Sequence, residues 1–383
     1  MSTVRDGVQA MTQKRVLVVG GGIAGLSAAI ALRAGGAQVD VLESNPRWSV
    51  YGTGIIQQGN VVRAMAQLGI VREFLAAGLC YDHVRLYARD GHFLAEIASD
   101  RLAGTDYPAM VGISRPALHK VLGDAAQKSG ARIRLGVTVV RMTQSEDGVE
   151  VLSTDGQSGR YDVVIGADGL FSKVRAMVFG EHYVPTFTGQ GVWRYNLPRT
   201  PEFDCLTTMV GEHSNAGICP ISEELMYLFV TSAEPGNPRM PQASLAALMR
   251  ERLNGFGGFI GELARQITRS EGVVYRPLET VLVTPPWYRG RVVLIGDAAH
   301  AGTPHLGQGA GMAIEDALVI AEEVTREQPL ARAMQNFMER RWARAKFIWE
   351  TSVQIGRWEL EGRRDIDRPG LIRRMFEVTA QPI

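Results

Sequence analysis

The stretch RVLVVGGGIAGLSAAIAL, residues 15–32, decides the fold of this chain. It opens with a short β-branched run, which is typical of a buried parallel strand. Glycines in the spacing GxGxxG follow, and helical spacing continues after them. The run AQVDVLE at 37–43 has the character of a second buried strand. The stretch therefore predicts a β-α-β unit that opens a parallel sheet.

Each residue type in this turn suits the binding of a dinucleotide. Gly20 permits the tight turn, Gly22 lets the backbone approach a pyrophosphate, and Gly25 lets the helix pack on the strand. The helix N-terminus supplies amide donors and a favourable dipole for the anion. Glu43, at the end of the next strand, can accept hydrogen bonds from ribose hydroxyls, and an acid there favours FAD or NAD over NADP. A purely structural glycine turn is the alternative.

A second strand-to-helix turn lies near the other end of the chain, in RVVLIGDAAHAGTPHLGQGAGMAIEDA at 291–317. A strand-end carboxylate, Asp297, precedes a proline and a second glycine-rich helix start. Such a helix start can hold the negative end of an electron-accepting ring through its dipole. Between the two turns stands Asp168-Gly169 in GADGLFSKVR, for which a plain strand-ending turn is the alternative reading.

The bulk composition excludes several classes of protein. The chain has 383 residues, 45% of them hydrophobic and 21% charged, which predicts a globular protein of two or three domains. Its net charge of +1 gives no reason to expect a nucleic acid or a membrane surface as partner. Cys80, Cys205 and Cys219 are far apart, so we predict neither a metal site nor a disulfide framework. We expect a cytoplasmic protein.

The alternation of strand and helix patterns predicts a discontinuous α/β domain with an insertion. We assign residues 1–182 and 284–329 to this domain, including a β excursion near 78–112. Residues 183–283 read as a mostly β substrate domain. A C-terminal helical segment, 330–383, contains one long helix. The glycine-rich run GFGGFIG at 255–261 has no preceding strand and is interpreted as a loop.

Taken together, these motifs resemble those of the single-component FAD-dependent aromatic hydroxylases, the group A flavoprotein monooxygenases. The GxGxxG turn, the Asp-Gly motif and the Gly-Asp motif at 296–297 occur in the order found in that family, with supporting matches in GTGI at 52–55 and SRPALHKVL at 114–122. The resemblance runs from about residue 14 to about residue 360. It implies a Rossmann-type FAD-binding domain of the GR2 type. In such a domain both glycine turns would bind one extended FAD molecule.

The resemblance also implies which residues contact the cofactor. They are Gly20, Gly22, Ile23, Ala24, Gly25, Glu43, Gly54, Arg115, Val139, Asp168, Asp297, Pro304, Gly307, Gly309, Ala310 and Gly311. Asp168 would help bind both FAD and NAD(P)H, Asp297 the ribityl and ribose region, and the amides after Gly309 the isoalloxazine. For Arg115, an exposed helix cap is the alternative to a contact with the FAD diphosphate.

The implied activity is hydroxylation of a small aromatic or heteroaromatic substrate. NADH or NADPH would reduce FAD, and O2 would deliver one oxygen atom through a flavin hydroperoxide. The protein would bind and orient the ring, exclude water, and polarise or deprotonate a ring hydroxyl. There are three alternatives: a dehydrogenase without oxygen insertion, a halogenase suggested by WRYNLP at 193–198, and a flavin-binding regulator without turnover.

Candidate substrate residues are Arg194, Tyr195, His213, Tyr227, Pro304 and His305. Among them, Tyr227, His305 and Arg194 are the candidate catalytic residues, and an imidazole beside the flavin could act as a base. The alternatives are packing within the sheet for Arg194 and Tyr195, packing in the core for Tyr227, and a position in a loop for His213. Asn215 stands where relatives that oxidise urate carry Arg, which argues against urate. Monomer and homodimer both remain open.

Overall fold

The computed structural model describes residues 13–49, 52–363 and 365–383, so the predicted start of the first domain at residue 1 lies outside it. Within the described chain the strands are β1 (Arg15–Val19), β2 (Gln38–Glu43), β3 (Gly54–Gln57), β4 (Gly78–Tyr81), β5 (His83–Ala88), β6 (Phe93–Ala98), β7 (Met110–Ser114), β8 (Arg132–Leu135), β9 (Val139–Ser145), β10 (Gly148–Ser153), β11 (Ser158–Tyr161), β12 (Val163–Gly166), β13 (Thr186–Pro198), β14 (Leu206–Val210), β15 (Asn215–Pro220), β16 (Leu225–Ala233), β17 (Val273–Thr280), β18 (Tyr288–Arg289) and β19 (Val292–Leu294).

The helices of the same residues are α1 (Ile23–Ala34), α2 (Gly59–Gln67), α3 (Val71–Ala76), α4 (Arg115–Lys128), α5 (Lys173–Phe179), α6 (Leu245–Arg252), α7 (Gly258–Ala264), α8 (Asp297–His300), α9 (Gly309–Thr325), α10 (Leu330–Leu360) and α11 (Arg368–Ala380). Helix α7 occupies part of the glycine-rich run that we interpreted as a loop, so that interpretation is wrong. Ile260 and Leu263 of this helix are buried against the neighbouring sheet and supply the packing energy.

The first layer is a six-stranded sheet in the order β18-β19-β12-β1-β2-β8. Strand β1 pairs in parallel with β2 on one side and with β12 on the other. Strand β19 joins β12 in parallel, although it lies more than a hundred residues further along the chain. Val16, Leu17 and Val18 are fully buried, as expected for a parallel strand covered on both faces. The α/β class, assembled from discontinuous pieces, is therefore confirmed.

The second layer is a seven-stranded sheet in the order β17-β13-β16-β15-β14-β5-β6. It contains the predicted β module, but β5 pairs in parallel with β14 and extends the sheet. The assignment of the whole excursion near 78–112 to the FAD-binding domain is therefore wrong. Leu86 and Ile97, in the hairpin that β5 and β6 form, are buried in a hydrophobic cluster. Pairing over such a long sequence separation leaves no local signal.

Side chains alternate between the two faces of this second sheet, and the two faces have different partners. Trp193, Tyr195 and Leu228 pack with residues of α6 and α7 in one hydrophobic cluster. The opposite face, which we call the inner face, carries Arg194, Asn215, Tyr227, Phe229 and Thr231. The inner face contacts the FAD-binding part of the chain, because the ring of Tyr227 lies against Gly54.

The C-terminal segment forms helices α10 and α11, and the predicted long helix is confirmed. Both helices contribute side chains, among them Ile355 and Met375, to a cluster with Leu306 and Met312. The last turn of α10 reaches the seven-stranded sheet, where Leu360 lies beside Gly189. In the described part of the chain, every helix is too short or too polar to cross a membrane.

Candidate active site

The first glycine turn has the close contacts that its motif requires. Gly20 has φ +113°, and a Cβ added there would lie 2.3 Å from the carbonyl oxygen of Ala167. A Cβ on Gly25 would lie 1.9 Å from the carbonyl oxygen of Gly20, so only glycine lets α1 approach the strand. A Cβ on Gly22 would meet nothing within 4 Å. The turn therefore leaves open space at the N-terminus of α1, where Ile23 begins the helix.

Glu43 supports this turn from the end of β2. Its carboxylate accepts hydrogen bonds from the backbone N–H of Gly21 at 2.8 Å and of Asn45 at 2.7 Å. The indole of Trp48 donates to the carbonyl of Gly21 at 3.1 Å. Glu43 therefore holds the shape of the turn, and its predicted contact with a ribose would use its remaining lone pairs.

The second glycine turn meets the first. Gly296 has φ +58°, and a Cβ added there would lie 2.9 Å from the Cβ of Ala313 on α9 and 3.2 Å from that of Ala24 on α1. Asp297 follows at the start of α8 and is exposed. The turns at the two ends of the chain thus share one location, which explains why both occur.

Beneath the second turn lies a buried ionic cluster that the motifs did not reveal. Asp316 accepts hydrogen bonds from the N–H of Gly296 at 2.9 Å, from His300 at 2.6 Å and from Arg341 at 2.8 Å. These charges hold the pKa of Asp316 below its usual value although burial opposes them. Arg341 also bonds Glu315 at 2.7 Å. A charged residue inside the apolar stripe of α10 is the signal that could have indicated this cluster.

The loop after Pro304 turns sharply before α9 begins at Gly309. Gly307 has φ +66°, which favours glycine at that position. The side chain of Gln308 bonds Gln58 and Asn60, the latter at 3.0 Å, and so ties this loop to the start of α2. Ala310 and Gly311 form the first turn of α9, whose leading amides have no partner within the helix.

The remaining cofactor candidates have differing surroundings. Asp168 accepts from the N–H groups of Lys173 and Val174 at 2.7 and 3.1 Å, so its carboxylate caps α5. Arg115 begins α4, and its side chain packs against Gly52. The side chain of Val139 is buried in the main core, so only its backbone is available to a ligand.

These residues fit an extended FAD. The two glycine turns bring the N-termini of α1 and α9 to one region, where their dipoles favour the anionic parts of the cofactor. Among the described residues, the hydroxyl of Thr53 and the amide of Gln57 are buried without hydrogen-bond partners. Both belong to the short segment 53–57 that contains Gly54. Buried polar groups normally have partners, so these atoms are suited to a polar ligand.

Arg194 and Tyr227 lie together on the inner face beside Gly54. Burial lowers the pKa of Arg194 to about 10, and Tyr227 and Arg115 are within electrostatic range of it. Its guanidinium has neither an ion pair nor a hydrogen bond to any described residue. Burial raises the pKa of the Tyr227 phenol, so that phenol stays protonated and can donate. The pair offers a cation and a donor to an anionic or carbonyl oxygen.

Two predicted substrate residues lie elsewhere. Tyr195 points to the helix-covered face of the sheet, where its ring contacts Gly272. Neighbours along a strand point to opposite faces, so Tyr195 cannot share a site with Arg194, and its assignment is wrong. His213 is exposed in the loop between β14 and β15, against Gly362. We remove both from the candidate set.

His305 is turned away from open space and into a buried polar cluster. Its Nδ1 lies 2.8 Å from the Thr303 hydroxyl, and its Nε2 lies 3.2 Å from a carboxylate oxygen of Glu359. Glu359, fully buried at the end of α10, also accepts from Thr231 at 3.0 Å and Gln190 at 3.1 Å. Further donors to Glu359 are Asn215 and Arg368. The motifs missed Glu359, although it follows buried Ile355 at helical spacing.

A groove beside this cluster opens between β13, the end of β17 and α10. Its volume is about 440 Å³, which falls within the range of small-molecule sites. Gln190, Thr303 and Gly356 form buried parts of its lining, whereas Val184 and Arg357 are exposed. The groove thus connects solvent to the neighbours of His305.

One group of possible metal ligands occurs in the described residues. His83, Asp204 and Cys205 bring ligand atoms within 4.8 Å of one another. However, Arg85 bonds Asp204 at 2.6 Å, and burial raises the pKa of the Cys205 thiol to about 11. A paired carboxylate and a neutral thiol are poor metal ligands, so we assign no metal to this group.

Comparison with known proteins identifies the family. The sequence model of the family described as an FAD binding domain matches residues 13–346. This chain belongs to that family. It is 33% identical over 352 residues to 2-heptyl-3-hydroxy-4(1H)-quinolone synthase of Pseudomonas aeruginosa, covering 90% of each chain. It is 31% identical to 3-hydroxybenzoate 6-hydroxylase 1 of Aquipseudomonas alcaligenes, covering 86% of this chain and 85% of the other.

The fold has a solved counterpart with ligands bound. The crystal structure of Klebsiella pneumoniae HpxO complexed with FAD and uric acid has a TM-score of 0.84 and 25% identity, covering 96% of this chain and 97% of that chain. The predicted α/β fold and FAD as cofactor are confirmed. The chain is an FAD-dependent monooxygenase of this family. The individual contact residues remain predictions.

Replacing Asp297 by alanine should weaken FAD binding by about ten- to a hundredfold, because about 1.5–3 kcal/mol of charge-assisted hydrogen bonding would be lost. Flavin absorbance that remains with the protein after gel filtration measures the effect. The Asp297→Asn variant, which keeps one oxygen acceptor, should lose less. Full flavin retention in the alanine variant would contradict the assignment.

Proposed function

We propose that this chain hydroxylates a small aromatic or heteroaromatic ring that carries a hydroxyl or amino group, with NADH or NADPH as reductant and O2 as oxygen source. The observation that carries the proposal is the pair Arg194 and Tyr227 beside Gly54. This pair places a cation without a carboxylate partner next to the expected flavin. A site of this kind suits a substrate that becomes anionic or bears a carbonyl.

The chemistry that FAD supplies when bound is reduction by the nicotinamide and activation of O2. This chain would bind and orient the ring on the inner face of the seven-stranded sheet. Phe229 lies opposite Gly217 there, and its ring packs over that glycine. Arg194 would stabilise negative charge on a ring oxygen, which makes the ring carbon a better nucleophile. The packed sheet and helices would exclude water from the reacting atoms.

The relatives narrow the class of substrate. Two of them are named for a hydroxylated quinolone and for a hydroxybenzoate, both of which are rings with oxygen substituents. We infer a substrate of this kind, a ring compound that is neutral or carries a single charge. Urate is disfavoured, because Asn215 replaces the arginine expected in relatives that oxidise it, and Asn215 bonds Glu359 here. A cytoplasmic location and a monomeric or homodimeric state stay predictions.

The test is oxidation of NADH and NADPH in air by the purified FAD-loaded protein. The panel is 3-hydroxybenzoate, 6-hydroxynicotinate, 2-aminobenzoate and 2-heptyl-4(1H)-quinolone, with products identified by mass. Strong stimulation by one compound and the gain of one oxygen atom are expected. Stimulation without oxygen gain would favour a dehydrogenase or an uncoupling ligand. Slow oxidation that no compound changes would favour the regulator and overturn the proposal.

Replacing Tyr227 by phenylalanine should slow hydroxylation by about tenfold, which corresponds to the loss of about one hydrogen bond to the substrate. FAD content should stay at the wild-type level, because the ring that packs on Gly54 is retained. Single-turnover rates and flavin absorbance measure the two effects separately. Unchanged turnover with the true substrate would place Tyr227 in the core instead.

A further inference from the structure

Three side chains beside the predicted flavin site form a continuous hydrogen-bonded chain. The Thr303 hydroxyl meets His305 Nδ1 at 2.8 Å, and His305 Nε2 meets Glu359 at 3.2 Å. A carboxylate only accepts hydrogen bonds, so Nε2 carries the proton and donates to Glu359. In the neutral ring, Nδ1 is then the acceptor, and the Thr303 hydroxyl donates to it. This arrangement leaves the oxygen of Thr303 available to a proton from a ligand.

Glu359 is arranged to remain charged. Its carboxylate accepts from Gln190, Asn215 and Thr231, which come from three strands of the sheet. Arg368, at the start of α11, lies 3.4 Å away. Contacts with His305, Arg368 and Thr231 hold the pKa of Glu359 below its usual value despite its burial. An anionic partner at Nε2 stabilises an imidazolium if Nδ1 takes up a proton.

Thr303 also connects this chain to the groove, because it contributes to the groove lining. Gln190 is part of the same lining, and its side-chain oxygen is buried without a partner among the described residues. A ring that enters the groove would thus meet an acceptor, Gln190, and a hydroxyl, Thr303.

We propose that Thr303, His305 and Glu359 form a proton relay that accepts the proton of the substrate's ring hydroxyl. The ring O–H bond breaks and its proton goes to the Thr303 oxygen. The Thr303 hydroxyl gives its own proton to His305 Nδ1 in the same event. The products are a ring oxyanion and an imidazolium paired with Glu359. Thr303 touches the substrate, whereas His305 and Glu359 act through it. This inference rests on the proposed function and names a hydroxylated ring as substrate class.

Other charged groups lie around the relay and contribute to its field. Arg368 on α11 faces Glu359, and Arg357 of α10 and His182 are at the groove. The sheet partners Gln190, Asn215 and Thr231 are neutral. Glu359 is thus the anion in contact with His305 Nε2, and its neutralisation would remove the counter-charge of an imidazolium there.

The test compares Thr303→Val, which removes the hydroxyl at constant shape, with Thr303→Ser, which keeps it. The substrate is 3-hydroxybenzoate or 6-hydroxynicotinate, whichever stimulates the holoenzyme. At neutral pH the valine variant should lose about a hundredfold in kcat, and the serine variant should stay within about threefold of wild type. Above the pKa of the free hydroxyl, the valine variant should recover, because the substrate ionises in solution.

A second readout needs no turnover. The ultraviolet difference spectrum of the same compound on the oxidised holoenzyme reports how much of it is bound as the anion. Thr303→Val and Glu359→Gln should both lower that fraction at neutral pH. Glu323→Gln is the matched control, since Glu323 is an equally buried carboxylate with several donors on α9. It should leave the bound fraction unchanged.

The possible outcomes distinguish a failure of the relay from a failure of the proposed function. Wild-type activity in Thr303→Val, or a loss that is equal at every pH, would overturn the relay while leaving the hydroxylase intact. An unchanged anion fraction in Glu359→Gln would remove Glu359 from it. If neither hydroxyl compound stimulates the wild-type protein but another panel member is hydroxylated, the proposed function stands and the assigned substrate class fails. If no panel member stimulates it, the proposed function itself fails.

Discussion

Replacing Arg341 by methionine should lower the free energy of unfolding by about 3–5 kcal/mol, because it leaves two buried carboxylates with fewer counter-charges. Arg341 is fully buried and bonds both Glu315 and Asp316. Methionine has a similar length, so lost packing contributes little. Urea unfolding of the holoprotein measures the change.

The same substitution should also reduce FAD retention. Asp316, which Arg341 neutralises, accepts from the N–H of Gly296 directly before Asp297. A shift of this carboxylate would move the second glycine turn. The control is Arg332→Met, an exposed arginine on the same helix. Wild-type stability and flavin content in the Arg341 variant would show that His300 and Arg344 suffice to support the cluster.

Adding one methyl group at Gly25 or at Gly22 should have opposite consequences. At Gly25 the new Cβ would lie 1.9 Å from the Gly20 oxygen, so the helix must move away from the strand. Gly25→Ala should cost about 3 kcal/mol or more in stability, since the clash is with backbone. At Gly22 the new Cβ would meet nothing within 4 Å of it, so Gly22→Ala should fold normally.

Gly22→Ala should nevertheless bind FAD at least about tenfold more weakly, because the methyl group occupies the space through which a pyrophosphate approaches. Thermal unfolding of the apoprotein and FAD titration separate stability from binding. Normal FAD affinity in Gly22→Ala would place the pyrophosphate elsewhere. Normal stability in Gly25→Ala would mean that the helix can shift without cost.

Local sequence signals predicted the parts of the site that depend on the conformation of the backbone. The contact of Gly25 is with Gly20, only five residues earlier, so spacing alone indicated it, whereas the contact of Gly20 with Ala167 exists only in the folded chain. The positive φ of Gly296 and of Gly307 is likewise a property of the local backbone, which favours glycine there. We predicted both Arg194 and Tyr195 as substrate residues, although neighbours along a strand point to opposite faces of a sheet. Helices α6 and α7 cover one face of the sheet and so leave the other as the inner face. These helices come later in the chain.

The other residues of the site depend on contacts between distant segments. Glu359 contacts strands that lie more than a hundred residues earlier in the chain, and no local pattern links them. His305 was predicted beside the flavin, but Glu359 determines which way its imidazole points. The hairpin of β5 and β6 joins the second sheet for the same reason, since strand pairing is set by packing across the whole molecule.

The sequence by itself determined the β-α-β opening, the two glycine turns, the α/β class and the cofactor. The opening unit and the turns follow from steric and hydrogen-bonding rules that act over a few residues, whereas FAD was implied by the resemblance that the order of the motifs carries. The tertiary structure alone decided how the sheets share strands, which face of the second sheet meets the flavin region, and how His305 is held. Those outcomes depend on the burial of charge and apolar surface between distant segments, and burial is defined only once the chain has packed.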